Sequence, residues 1–272
     1  MDQINSTIDF IYNIALIFRN KLKLSPLNQI NLLASYFSMV IFKTKRYKSY
    51  SFNYINFNYF LGLFSHRFIR NDYYFYSQSP CPTIIDCGAN IGDSVLYFKD
   101  LYPNSKIIAI EPDKLTFNVL RSNLITNNIK NTSILNKAVS NKQGVLTFYM
   151  NNSDPTTGTM SLMAERGNKD TIKVKSIKLS KLINEKVDLL KLDIEGAEII
   201  VLKELDESNK FKYIQEMIIE YHHNMIDCKD KMSEFLNILE KNGYRYQLST
   251  SLKPPFIKNL FQDILVYAYK IN

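Results

Sequence analysis

Thr83-Ile84-Ile85-Asp86-Cys87-Gly88-Ala89-Asn90-Ile91-Gly92 is the stretch on which the fold turns. An apolar run that ends in an acid and passes into a glycine turn reads as a buried strand. A helix then opens at Asp93-Ser94, where free backbone N–H groups and the positive helix end face a ligand. The dinucleotide fingerprint G-x-G-x-x-G needs a second glycine two residues after the first, so that the backbone can approach a pyrophosphate. That position is Asn90, and Gly88 and Gly92 stand in a G-x-x-x-G spacing. The loop therefore suits a cofactor without a pyrophosphate, such as S-adenosylmethionine (SAM), better than NAD. A tight structural turn with no ligand is the competing reading.

Downstream, strand and helix patterns alternate, which argues for a parallel α/β sheet. Lys106–Glu111 is a strand closed by Pro112, and Asp113 is placed to cap a helix with Phe117, Leu120 and Leu124 on its apolar face. Asn131–Asn136, Val187–Asp193 and Gln215–Tyr221 are further strands, and a helix bearing Met232, Phe235, Leu236 and Leu239 stops at Gly243. Tyr244–Leu248 and Asp263–Tyr269 are the last two. Val145–Met150 and Ile172–Leu179 look like strands outside this alternation, around a polar loop from Asn151 to Asp170.

Upstream, residues 1–82 hold nine Lys/Arg and three Asp/Glu, while residues 83–272 hold 25 and 23, so most of the net charge of +8 sits in the N-terminal piece. That piece carries apolar stretches at Ile8–Phe18 and Leu32–Phe42, parted at Pro26, and then Lys43-Thr44-Lys45-Arg46-Tyr47-Lys48. Residues 1–49 are read as a helical basic appendage. An apolar helix before a basic cluster can rest on an anionic membrane through residues 32–48, or form a lid on the enzyme. Residues 50–82, dense in Tyr and Phe, are read as a strand-rich lead-in, because aromatics favour strands. The core is then 83–272, in an α/β domain of 50–272. Three cysteines without C-x-x-C spacing fit a reducing compartment, and neither a signal peptide nor a membrane span is expected; the location expected is cytoplasmic, peripheral to the inner membrane face if the helix binds lipid.

Ligands of open α/β sheets bind beyond the carboxyl ends of the strands, which selects Asp86, Glu111, Lys137, Asp193 with Glu195, and Glu220 with His222 and His223. Glu111, 25 residues after Asp86, is placed to take both hydroxyls of a ribose. Asp193 and Glu195 invite a divalent ion, but no third oxygen ligand is evident, and no metal is expected.

The blocks Ile85–Gly92, Ile110-Glu111-Pro112, Lys137-Ala138-Val139, Leu190–Glu198 (L-K-L-D-I-E-G-A-E) and Ile219-Glu220 resemble the FkbM-type SAM-dependent methyltransferases over roughly residues 50–270. A departure is Leu179-Ser180-Lys181-Leu182, where the family's pattern has Asp at position 180. The resemblance implies a class I, Rossmann-like sheet of seven strands with the last antiparallel and helices on both faces. It implies that Gly88, Asn90 and Gly92 wrap the methionine end of SAM, Asp86 faces its ammonium, Glu111 holds the ribose and Ala138 lines the adenine. The family's usual acceptors are hydroxyls on sugars and secondary metabolites, as in polysaccharide or natural-product biosynthesis. A hydroxyl needs a base. Glu220 and His222 share a strand face, which suggests His222 as base oriented by Glu220, with Asp193 or Glu195 as alternative base or acceptor-positioning group. RNA methylation fits the basic aromatic segment, but the charge is local and no RNA-binding module is visible, so a nucleic-acid partner is not expected. A non-catalytic SAM-fold protein in a membrane-bound glycan-modifying assembly is the third class.

Overall fold

The computed structural model describes residues 26–42, 45–150, 170–223, 231–250, 257 and 261–271. The apolar stretch Ile8–Phe18, nearly all of the Asn151–Asp170 loop and Lys253-Pro254-Pro255 lie outside these residues.

Seven strands form the central sheet: β3 (Thr83–Cys87), β4 (Lys106–Ile110), β5 (Thr132–Leu135), β9 (Val187–Leu192), β10 (Ile214–His223), β11 (Tyr244–Thr250) and β12 (Gln262–Lys270). Their order is β11-β12-β10-β9-β3-β4-β5. β12 runs antiparallel between β10 and β11, and the five strands from β10 to β5 are parallel. This is the doubly wound class I methyltransferase architecture. The chain leaves β3 towards β4 and β5, then returns to β9 on the other side, so β3 and β9 flank the topological switch point where ligands bind. Ile84, Ile85, Asp86 and Cys87 are all buried, as a strand covered on both faces requires.

The helices α3 (Asp93–Leu101), α4 (Lys114–Thr126), α5 (Glu198–Glu207) and α6 (Met232–Lys241) cover the sheet. Asp113 caps α4, accepting from Thr116 N at 2.8 Å. Gly243 follows the end of α6 at φ +80°, where the absence of Cβ lets the chain turn left-handed. The two strands expected outside the alternation form a separate three-stranded sheet, with β6 (Ala138–Ser140) and β7 (Gly144–Met150) on either side of β8 (Asp170–Lys178).

Two readings of the N-terminal piece are corrected. First, the lead-in is helical rather than strand-rich. Apart from β2 (Tyr50–Ser51), paired with β1 (Arg46–Tyr47) just before it, its regular structure is α2 (Phe57–Phe64) running into a π-turn, Ser65–Ile69. Phe57, Phe60, Phe64 and Phe68 recur at steps of three and four, so they line one helical face; Phe64 and Phe68 stack at 4.9 Å. Such a pair contributes about 0.5–1.5 kcal/mol beyond its burial. Second, no boundary falls at residue 49. The helix α1 (Pro26–Phe42) inserts Leu32, Tyr36 and Met39 into the same core cluster as Phe52, Phe60, Ile84 and Leu189. Among the described residues no helix is long and apolar enough to cross a membrane.

Candidate active site

The turn after β3 is shaped by three left-handed residues, Gly88 (φ +79°), Asn90 (φ +48°) and Gly92 (φ +85°). At Gly88 a side chain has no room, since a Cβ would lie 1.8 Å from the carbonyl oxygen of Asp193. The loop amides are spent internally. Gly88 N and Ala89 N donate to Ile110 O at 2.9 Å, Gly92 N donates to Ala89 O at 2.8 Å, and Ile91 N donates to the side chain of Asn90 at 2.8 Å. Asn90 N donates to Glu111 Oε2 at 2.9 Å. A row of amides committed in this way offers no cradle to a pyrophosphate, which fits a cofactor without one.

Glu111 joins this loop to the next helix, its other oxygen accepting from Asp113 N at 2.9 Å. Each oxygen keeps a further lone pair for a ribose hydroxyl. Burial pushes the carboxyl up to about 8, against the two backbone donors, Asp113 and Asn90.

Behind the loop lies a buried ion network. Lys191, on β9, donates to Gly88 O at 2.6 Å and lies 3.3 Å from Asp86 and 3.5 Å from Asp193. Burial alone would lower this lysine, but Asp86 and Asp193 outweigh it and keep it charged. Burial would likewise raise Asp193; Lys191, His222 and Arg67 outweigh it and hold the carboxyl below its ordinary range. Asp86 is fully buried, with one oxygen accepting from Ser94 Oγ at 2.6 Å and the other facing Lys191. Asp86, expected to face a cofactor ammonium, has no exposed surface in this structure and reaches the loop through Lys191, which also holds Gly88 O. Ala138, expected to line the adenine, packs its methyl with Phe148 and Val174 in the core of the small sheet.

At the ends of β9 and β10 the structure brings Asp193, Glu195 and His222 together. Glu195 is held left-handed at φ +59° and Gly196 at φ +100°. This turn folds the chain back so that Glu195 and Glu198 both reach the imidazole. His222 Nδ1 lies 3.0 Å from Glu198 Oε1, and Nε2 lies 3.2 Å from Glu195 Oε2. Burial would lower His222, but Glu198 and Glu195 overcome it and hold the ring well above the usual histidine range. The orienting carboxylate is thus Glu198, not Glu220 as the shared strand face suggested; the turn into α5 brings an acid to a ring nitrogen that the extended strand does not. Glu220 remains close, within a 4.8 Å group with His222 and Asp263, and burial and Asp193 push it up to about 8. Asp193, Glu195 and His222 likewise place potential ligand atoms within 4.8 Å of one another, although both ring nitrogens already face carboxylates.

Several site residues were not singled out from sequence. Glu198 stands in the K-x-D-x-E-G-x-E block, but only the turn geometry gives it a partner. Tyr73, whose hydroxyl donates to Asp193 Oδ2 at 3.1 Å, and Tyr59, which accepts from Asn90 Nδ2 at 2.7 Å, are embedded in an aromatic run that reads as core. Arg67 is buried with its guanidinium 3.8 Å over the Tyr73 ring and its Nε 3.1 Å from Asp93. Ser180, at the position of the departure noted above, donates its hydroxyl to buried Glu204.

Residues 86–246 match the methyltransferase FkbM domain. Methyltransferase sdnD of Sordaria araneosa is 31% identical over 176 residues, which cover 51% of this chain and 66% of that protein. Methyltransferase 1 of Beauveria bassiana is 29% identical over 196 residues, 62% of this chain and 76% of its own length. The chain thus spans just under two thirds of the first of these relatives. The crystal structure of methyltransferase FkbM from Methylobacillus flagellatus aligns with 96% of this chain and 60% of its own, at 17% identity and a TM-score of 0.48.

Proposed function

The chain belongs to the FkbM methyltransferase family, with SAM as the methyl donor its fold and family imply, and from that premise we propose that it methylates a hydroxyl oxygen of a sugar, glycan or secondary metabolite. The observation that carries this reading is the placement of His222 between Glu198 and Glu195 at the strand ends beside the cofactor loop. A hydroxyl is a poor nucleophile until its proton is taken, and an imidazole fixed by a carboxylate is suited to take it.

Each residue has a task in this reading. The loop from Gly88 to Gly92 and the carboxylate of Glu111 hold the cofactor. SAM, when bound, supplies a methyl group on a sulfonium that needs no further activation by the protein. The excess of acids around the site, with Asp86, Asp93, Asp193, Glu195 and Glu198 set against Lys191 and Arg67, suits a cationic donor. Glu198 accepts the Nδ1 proton and fixes the ring. Nε2 faces Glu195 in the free chain; with Glu195 turned from the ring to the acceptor's neighbouring hydroxyls, which it positions together with Asp193, Nε2 of the neutral ring receives the proton of the acceptor hydroxyl. Catalysis then rests on placing the nucleophile in line, worth up to about 7–11 kcal/mol in favourable systems.

The test is incubation with SAM and a panel of sugar nucleotides, glycans and phenolic metabolites, followed by mass and NMR analysis of the product. A methyl ether is expected. Methylation at nitrogen or carbon, or failure to bind SAM in calorimetry, would overturn the reading. The same proposal includes peripheral contact with an anionic membrane through residues 32–48, supported by exposed Ile41 and Phe42 at the end of α1, just before exposed Lys45 and Arg46. Flotation with anionic but not neutral vesicles, lost in K45E/R46E, is the expected result; equal flotation with both, or with neither, refutes it.

A further inference from the structure

The segment from Asn56 to Ile69 lies outside residues 86–246, yet two of its polar contacts end on the cofactor loop and on the helix that follows it. Asn56 caps α2 by accepting from Tyr59 N at 3.1 Å, which fixes the first turn and the direction of Tyr59. The Tyr59 hydroxyl accepts from Asn90 Nδ2 at 2.7 Å. Asn90 in turn sends its backbone N–H to Glu111 and its side-chain oxygen to Ile91 N. It therefore stands between Tyr59 and the carboxylate assigned to the ribose. Further along the same segment, Arg67 in the π-turn meets Asp93, the first residue of α3. The segment grips the loop's central residue and the helix behind it.

We propose that Tyr59 is a positioning residue for the cofactor: it holds the Asn90 side chain, and through Asn90 the contact with Glu111, in the conformation that binds SAM. The proposal rests on the reading of this loop as the SAM site. A purely structural role is served by the ring, which Phe would retain; the positioning role resides in the hydroxyl. Net loss of one such hydrogen bond weakens ligand binding by about three- to tenfold.

The experiment is calorimetric titration of the full chain with S-adenosylhomocysteine, the product form of the donor. Tyr59→Phe is expected to weaken binding by about three- to tenfold. Asn90→Gly removes the amide while accepting the left-handed backbone, and it is expected to weaken binding without adding to the effect of Y59F in the double variant, as coupled partners do. Tyr97→Phe is the structural control. Its hydroxyl donates to Asn71 Oδ1 at 3.1 Å within the same aromatic core, rather than to the loop. This variant should lose thermal stability and keep wild-type affinity. Amide exchange at Gly88–Gly92 should quicken in Y59F and not in Y97F. Unchanged affinity in Y59F, equal weakening in Y59F and Y97F, or full additivity with N90G overturns the proposal. Failure of the wild-type chain to bind the probe overturns the cofactor reading itself, and this inference with it.

Discussion

Glu198 Oε1 lies 3.0 Å from His222 Nδ1, so the ring is oriented by the first residue of α5 rather than by its neighbour on the strand. A base held above its usual range by Glu198 and Glu195 is protonated at neutral pH until pH rises towards its folded value. Activity should therefore climb through a limb above the ordinary imidazole range of about 6.5 and fall away at lower pH. Glu198→Gln removes one of the charges that raise the ring, so the limb should move to lower pH as the plateau falls. His222→Ala should lower turnover by about 10²–10⁴-fold with SAM affinity unchanged. A limb that stays in place in E198Q, or full activity in H222A, assigns the base elsewhere.

Glu111 gives a second pH dependence with its own sign. Its folded value of about 8 lies above the unfolded value, because burial disfavours the charge. Below the unfolded value, about 4.3, the group is neutral in both states and costs nothing. As pH rises from there to about 8, the unfolded chain is ionised and the fold is not, so this group progressively destabilises the protein without ligand. A ribose that donates to the carboxylate prefers the ionised form, so SAM affinity should rise between pH 6 and 8 by at most about tenfold per pH unit. Calorimetry across this range should show that rise in the wild type and a weaker, flat profile in Glu111→Gln. A flat wild-type profile would remove Glu111 from the ribose site.

What the sequence revealed follows from which forces are local. The parallel strands are legible because the mostly apolar runs Ile84–Cys87 and Ile107–Ile110 are largely buried and are followed within two residues by Gly88 and Pro112. The lead-in misled because aromatic residues suit a strand and a helical core face equally; the steps of three and four at Phe57, Phe60, Phe64 and Phe68 were the usable signal. Asp193, Glu195 and His222, selected by the strand-end rule, lie together at one sheet edge. The partner of His222 was not so selected, since strand periodicity points to Glu220, and only the left-handed turn at Glu195 and Gly196 brings Glu198 within reach. Asp86 likewise sits at the predicted strand end, but Ser94 and Lys191, distant in sequence, enclose it.

Gly88 and Gly243 have nearly the same φ, +79° and +80°, and different surroundings. A Cβ at Gly243 meets nothing within 4 Å, whereas one at Gly88 falls on the Asp193 carbonyl. Gly243→Ala should cost only the left-handed penalty, about 1–2 kcal/mol, and keep SAM affinity. Gly88→Ala must also push apart β3 and the end of β9, which should cost about 3 kcal/mol or more and abolish SAM binding. Chemical denaturation and calorimetry on the two variants separate strain from collision. Equal losses would mean that the close approach at Gly88 has no bearing on the site.

Ser180 and Glu204 form a buried pair in which the serine donates twice, through its hydroxyl and through its backbone N–H at 3.1 Å. The two side chains are 7% and 2% exposed as residues, so a second charge there has no water to screen it. This accounts for the tolerance of Ser where an aspartate would be expected: with Glu204 already present, a hydroxyl satisfies the carboxylate and a carboxylate would repel it. Ser180→Asp should destabilise the chain by about 2–4 kcal/mol. Because Glu204 belongs to α5, which also carries Glu198, the same variant should blunt turnover. Glu204→Gln in the S180D background replaces one of the opposed acids with an amide that can donate, and it should recover most of the loss in a denaturation experiment. If S180D is as stable as wild type, or if E204Q fails to improve it, repulsion between these two positions is not what sets the residue at 180.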